Sequence, residues 1–288
     1  MTTDTDITPV PPPQPRLLLR AIAVIGIALS LFQLYAAGVQ PLGLFFQRPI
    51  HLGFILVLCF LIYPVFGRDQ PRGLLGWAID GPLILCGIAV GAWVPMTIDI
   101  IANQIFPRQI DVWMGVLTLF VVLEGARRSV GLGMTIIGAF FLAYAFAGSR
   151  GELPFLSDWM PGILNHRGYP LERVASQMTL GAEGIFGIPL GVAATFVFVF
   201  VLFGAFLEVT GAGKFFIDLA YAATGRQRGG PAKAAVIASA GMGSISGSAI
   251  ANVVTTGAFT IPLMKKLGYR PAQAGGAPAG RDRHRRLV

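Results

Sequence analysis

Ser244, Ser246, Ser248, Asn252, Thr255 and Thr256 crowd into one short stretch, GMGSISGSAIANVVTTGAFTIP, at residues 241–262. Their hydroxyl and amide oxygens could ligate a cation, and Gly247 lets backbone come close to whatever is bound. Oxygen donors without carboxylates suit a weakly held monovalent ion better than a tight divalent one. Nucleophilic chemistry fits poorly. No serine here is flanked as G-x-S-x-G, and no histidine is near to act as a base. GMGSISG is not a dinucleotide fingerprint, and no G-K-[ST] marks a phosphate loop. His51, His166 and His284 stand far apart, while Cys59 and Cys86 lie inside apolar runs, so neither a metal site nor a disulfide framework is expected. The same stretch also supports a plain packing role. Ser239, Gly243, Gly247 and Ala251 recur every four residues, the small-xxx-small pattern of close helix contact. The residues alone divide about evenly between a binding site and a packing face.

The elements that carry this stretch are set by composition. The chain of 288 residues is 54% hydrophobic and 12% charged, with a mean hydropathy of +0.68. A soluble domain carries about 25% charged residues, so this chain cannot clothe a globular surface and belongs to the membrane class. The net charge of +8 is scattered between apolar segments, which points to orientation in a bilayer rather than to nucleic acid. Residues 1–16 read as a disordered cytoplasmic tail, polar and then Pro-rich. Apolar runs at 17–38, 50–66, 79–98, 110–125, 130–148 and 186–208 predict six transmembrane helices. The fourth is the short one, at roughly 22 Å.

Arg16, Arg20, Arg68, Arg72, Arg127 and Arg128 flank span ends on one side, against Arg48, Arg108 and Arg150 on the other. Six against three places the N-terminus in the cytoplasm and residues 149–185 outside. A short helix is expected after Pro170, with Leu171, Val174, Ala175 and Met178 on one face and packed on the bundle. Glu208 reads as an interfacial charge. GAGKFFIDLAYAATG at 211–225 predicts an amphipathic interfacial helix, with Phe215, Leu219, Ala222 and Ala223 on its apolar face and Lys214 paired to Asp218 opposite.

Residues 232–264 do not behave like a span. Lys233, at their start, is their one charge, and Lys265, Lys266 and Arg270 follow them. A crossing helix would put basic residues on both sides of the membrane, whereas a re-entrant hairpin keeps them on one. Arms of about 14 residues reach only ~21 Å each, enough for the midplane. Irregular backbone at that depth survives only when buried in protein or lining a wet cavity. Two half-helices would aim their terminal partial charges at the tip. That tip, SISGSAIAN, is the least helical part of the segment by composition. The predicted fold class is therefore an all-α membrane protein. It has about six transmembrane helices, an interfacial amphipathic helix and a re-entrant helical hairpin.

The run GRQRGGPAKAAVIASAGMGSISGSAIANVVTTGAFTIPLMKKLGYRP, with GIFGIPLGVAATFVFVFVLFGAFLEVTGAGKFFIDLA upstream, resembles the large membrane subunit of tripartite ATP-independent periplasmic (TRAP) transporters around its first re-entrant hairpin. The arrangement is similar to the fused permeases often paired with TAXI-type binding proteins. The resemblance implies a four-helix small-subunit-like region at 17–125 and the start of a large permease subunit at 126–276. It implies uptake of organic acids, C4-dicarboxylates or related carboxylates, driven by a sodium gradient across the bacterial inner membrane. Sodium is the coupling ion, with no other cofactor. A periplasmic substrate-binding protein would be the partner, and nucleic acid would not. Carried onto this chain, the ion and substrate ligands are Ser244, Ser246, Gly247, Ser248, Ala249, Asn252 and Thr255. The family pairs two inverted repeats, each with a hairpin; this chain has one, and residues 277–288 form an aberrant basic tail rich in Arg. The sequence reading is that of a C-terminally truncated fragment that does not transport alone. The alternative is a non-transporting scaffold whose small residues serve helix packing.

Overall fold

In the computed structural model the described residues are 15–67, 72–103, 106–159, 161–224, 230–246, 261 and 264–265. Helix is their regular secondary structure, and an isolated bridge between Ala147 and Leu153 is the only β pairing among them. The chain divides into two compact units, Met1–Thr195 and Phe196–Val288.

The first unit begins with four long apolar helices: α1 (Arg16–Gly38), α2 (Leu44–Ile62), α3 (Leu74–Ala102) and α4 (Gln109–Ser129). All four are long and apolar enough to cross a bilayer. α5 (Leu132–Phe146), at 15 residues, is the short member instead of the fourth. The difference comes from charge. Glu124, Arg127 and Arg128 suggest an end to the fourth span in sequence, but in the fold Glu124 pairs with both arginines within the last turns of α4 and Arg128 also pairs with Asp80, so the helix continues. In the same way α3 starts before the apolar run and passes through Asp80, whose charge is met by arginines. α2 starts earlier than its apolar run because Gln47 and Arg48 find partners, and it stops before Pro64, as the residue preceding proline disfavours helix.

The core of this unit joins α2, α3 and α4 through Leu52, Leu56, Phe60, Leu83, Val90 and Val121, with Phe186 inserted from the later chain. α2 and α3 touch backbone to backbone at Gly53 and Gly91. A Cβ on Gly53 would lie 2.7 Å from the Gly91 Cα, closer than any side chain tolerates. α5 buries none of its residues and presents Ile136, Phe140 and Phe141 outward, as a helix bathed in lipid does.

The expected short helix after Pro170 is present as α6 (Leu171–Thr179), with Val174, Ala175 and Thr179 buried. It lies against α4 at Gly115, where a Cβ would meet the Thr179 hydroxyl at 2.8 Å. α7 (Ile188–Val192) and a π-helical segment (Ala193–Val197) follow, and the boundary between the units falls within that segment.

The second unit holds α8 (Phe198–Val209), α9 (Ala212–Thr224) and α10 (Gly230–Ser246). Residues Ile188–Leu207 form the fifth stretch long and apolar enough to span. α9 packs on α10 through Ile217 and Ala220 against Ala234 and Ala238. Phe215 and Leu219 stay exposed, at 61% and 53%, and form the outward apolar face expected of an interfacial helix. Lys214 and Asp218 do not pair; both are exposed and no ion pair joins them among the described residues.

Candidate functional site

Two of the seven expected ligand residues fall on a described element. Ser244 and Ser246 belong to the last turn of α10. The helix therefore runs further into the expected tip than its composition suggests, because Ala-rich α10 is anchored on α9 before the serines begin. Gly247, Ser248, Ala249, Asn252 and Thr255 lie outside the described residues, as does the side-chain placement of Ser244 and Ser246.

The described approach to the tip is built from small residues. Ala234, Ala238 and Gly241 share one face of α10, spaced by four and three positions, and turn toward α9. A Cβ on Gly241 would lie 2.8 Å from the Phe216 ring, so glycine there is what lets the helices close up. The contact face is thus offset from the Ser239–Gly243 register that the four-residue repeat suggests.

Composition and spacing gave no sign of two buried polar constellations in the first unit. In one, Asp80 is fully buried and takes the Arg128 guanidinium at 2.6 Å and that of Arg72 at 3.4 Å. Arg128 also reaches Glu124 at 2.6 Å, and Glu124 in turn binds Arg127 at 2.7 Å. The arginines serve a second purpose. Arg72 donates to the carbonyls of Phe60 and Leu61 at 2.6 and 2.7 Å, and Arg128 to that of Tyr63 at 3.2 Å. These are carbonyls at and just beyond the end of α2, which have no partner within the helix, and cations there also meet its negative pole. Burial pushes the Arg72 guanidinium below its usual range, against the pull of Asp80. The cluster braces the ends of α2, α3 and α4. Arg72, Arg127 and Arg128 count simply as orientation charges in the sequence; in the fold they are structural.

The other constellation links α1, α2 and the start of α7. The Gln33 amide nitrogen lies 2.6 Å from His51 Nδ1, and its oxygen accepts from Gln47 at 3.0 Å. Gln47 also donates to the Ala194 carbonyl at 3.4 Å, inside the π-helical segment whose irregular turn breaks the regular helical bonding. Arg48 donates to the Phe186 carbonyl at 2.7 Å and lies flat on Gly191, where a Cβ would strike its guanidinium. His51 is thus one corner of a buried hydrogen-bond network. Among the described residues no three His, Cys, Asp or Glu side chains gather as a metal site would require.

Five apolar stretches long enough to cross a bilayer, an all-helical architecture among the described residues and buried, paired charges define a multi-pass membrane protein. Residues 117–280 match the family model described as "Tripartite ATP-independent periplasmic transporter, DctM component", and the chain belongs to that family. It is 36% identical over 161 residues to the C4-dicarboxylate TRAP transporter large permease protein DctM of Rhodobacter capsulatus, covering 55% of this chain and 29% of that protein. The protein of the same name from Pseudomonas aeruginosa is 40% identical over 77 residues, 27% of this chain and 18% of that one. YgiK of Salmonella typhimurium, an uncharacterized protein, is 34% identical over 101 residues, 34% of this chain and 21% of its own length. The chain therefore aligns with less than a third of each of these relatives. No solved structure matches it.

Proposed function

We propose that this chain is the membrane permease component of a sodium-driven importer of organic acids, fed by a periplasmic substrate-binding protein. Its N-terminus lies in the cytoplasm of a cell whose inner membrane it spans. Residues 17–125 serve as the small-subunit-like region and 126–276 as the beginning of the large subunit. Ser244, Ser246, Gly247, Ser248, Ala249, Asn252 and Thr255 supply sodium and substrate ligands at the tip of the hairpin 232–264. Binding and translocation are its chemistry, with no bond made or broken. C4-dicarboxylates, after which two relatives are named, are the first substrates to try.

The observation that carries this reading is the family match across 117–280, which includes the whole Gly- and Ser-rich stretch. α10 supports it, since it carries the chain into that stretch as far as Ser244 and Ser246. A second reading has its own support: Ala234, Ala238 and Gly241 show that small residues of this segment do pack helices. On that reading the chain is a scaffold without transport.

The two separate by thiol chemistry on single-cysteine variants at positions 246 and 252 in proteoliposomes. A sodium site predicts that a water-soluble thiol reagent reacts with both, and that sodium chloride slows it relative to potassium chloride. Equal rates in the two salts remove these residues from the ion site. Protection in both salts favours the scaffold.

A further inference from the structure

The apolar stretch Ile188–Leu207 does not run as one regular helix. α7 ends at Val192, a π-helical turn occupies Ala193–Val197, and α8 begins at Phe198. Nothing in the local sequence asks for this break. AATFVFVFV, residues 193–201, holds neither proline nor glycine, the common causes of an interrupted helix. A π turn takes in one residue more than an α turn and is rare outside functional places. Here it is held from outside the helix.

Two side chains meet carbonyls at this turn. Thr195 Oγ1 donates to the Gly191 carbonyl at 2.8 Å, within the helix itself. Gln47 Nε2 donates to the Ala194 carbonyl at 3.4 Å, across from α2. The same nitrogen donates to Gln33 Oε1 at 3.0 Å, so both N–H groups of the Gln47 amide are engaged. Gln33 is fully buried and sets its own nitrogen 2.6 Å from His51 Nδ1. Ala194 is fully buried too, so bulk solvent cannot take over its carbonyl if Gln47 lets go.

The hold is firm before the turn and light on it. Arg48 ties α7 to α2, donating to the Phe186 carbonyl at 2.7 Å and lying where a Cβ on Gly191 would fall. The Gln47 bond, at 3.4 Å, is at the long end for its type. If that bond opens, the cheapest partner for the Ala194 carbonyl is a backbone N–H further along its own helix. Taking it closes the π turn to α. With α7 fixed by Arg48, the change falls on α8, which turns by about 100° about its axis and moves ~1.5 Å along it.

We propose that Gln47, steadied by Gln33, is a catch that holds residues 193–197 in the π turn and so sets one of two registers of α8. Its use rests on the permease reading: Gln33 and Gln47 lie in the small-subunit-like region, and α8 belongs to the unit that carries α10 with Ser244 and Ser246.

The test places nitroxide labels on single-cysteine variants at positions 199, 200, 201, 202 and 203 of the full chain in lipid nanodiscs. Collision with oxygen then rises and falls about every 3.6 residues along the helix. Gln47→Leu should move the maximum by one position. Gln33→Leu, which removes only the support of the amide, should flatten the pattern as two registers mix. Deleting Val197 takes the extra residue out of the π turn and leaves α8 where it is, so Gln47→Leu added to that deletion should shift nothing. A maximum that stays put with Gln47→Leu overturns the catch, and so does one that moves equally in the deletion background. Helical circular dichroism and thermal midpoint check that each variant folds. If Gln47→Leu does not, a Gln33→Leu pattern identical to the parent's overturns the proposal instead. No step of this needs transport, so failure of the catch leaves the permease reading standing. Equal thiol rates in the two salts at positions 246 and 252 would remove the ion site and leave the catch.

Discussion

The two units of this protein are held together by opposite means. In Met1–Thr195 large apolar side chains fill the core and a five-residue ion cluster, centred on buried Asp80, Arg72 and Arg128, braces the helix ends. In Phe196–Val288 the contact between α9 and α10 is made by alanine and glycine, with Ile217 the one large side chain in the buried cluster. Inside a bilayer there is no hydrophobic drive between helices, so close packing and polar contacts must do the work. The first unit uses both, and in the second the contact of α9 on α10 shows the close packing. An ion cluster is all or nothing, because losing one member strands the others in a low-dielectric place. A seam of small residues is smooth and gives up a little at a time.

This contrast can be broken in stages. Asp80→Ala leaves Arg72 and Arg128 buried without their shared carboxylate and should cost about 3–5 kcal/mol, read as a fall in thermal midpoint in detergent. A loss under about 1 kcal/mol, the size of a surface pair, would mean that the cluster is an ornament and the apolar core alone holds the unit. Gly53→Ala should come next, at about 1–3 kcal/mol, since the new methyl meets Gly91 backbone that cannot rotate away. Gly241→Ala in the second unit meets only the Phe216 ring. The ring can turn, and alanine gains up to about 1 kcal/mol in helix propensity, so the net change should be near zero. Equal losses from the two glycine changes would erase the distinction between the seams. Phe215→Ser should be smallest, within about 0.5 kcal/mol in detergent, because its ring is exposed. A larger loss would show that the outward face of α9 is packed rather than bathed in lipid.

The helical class, the first span and the helix after Pro170 were legible because each depends on local pattern. Hydrophobic length writes a span directly, and Pro170 with its period of apolar residues writes α6. The ends of α2, α3 and α4 were not legible. Each passes through polar or charged residues that a span avoids unless a partner meets them, and the partners come from other helices. The short helix was misplaced for that reason: α4 looked curtailed by Glu124, Arg127 and Arg128, which instead pair along it. Lys214 and Asp218 had the right spacing to pair, but two exposed side chains lose entropy and gain little by doing so. The small-residue repeat identified α10 as a packing helix yet missed the face used, since Ser239 and Ala238 are neighbours in sequence and only the position of α9 chooses between them.

By itself the sequence determined what surrounds this protein and which family it joins. Long apolar runs with little charge admit no other environment, and the order of residues around the Gly- and Ser-rich stretch is distinctive enough to carry kinship. Tertiary structure alone decided which charges are buried and paired and which glycines touch backbone. Those outcomes depend on distances between residues far apart in the chain. Asp80 and Arg128 are separated by most of two helices, yet their 2.6 Å contact exists only because α3 and α4 lie side by side.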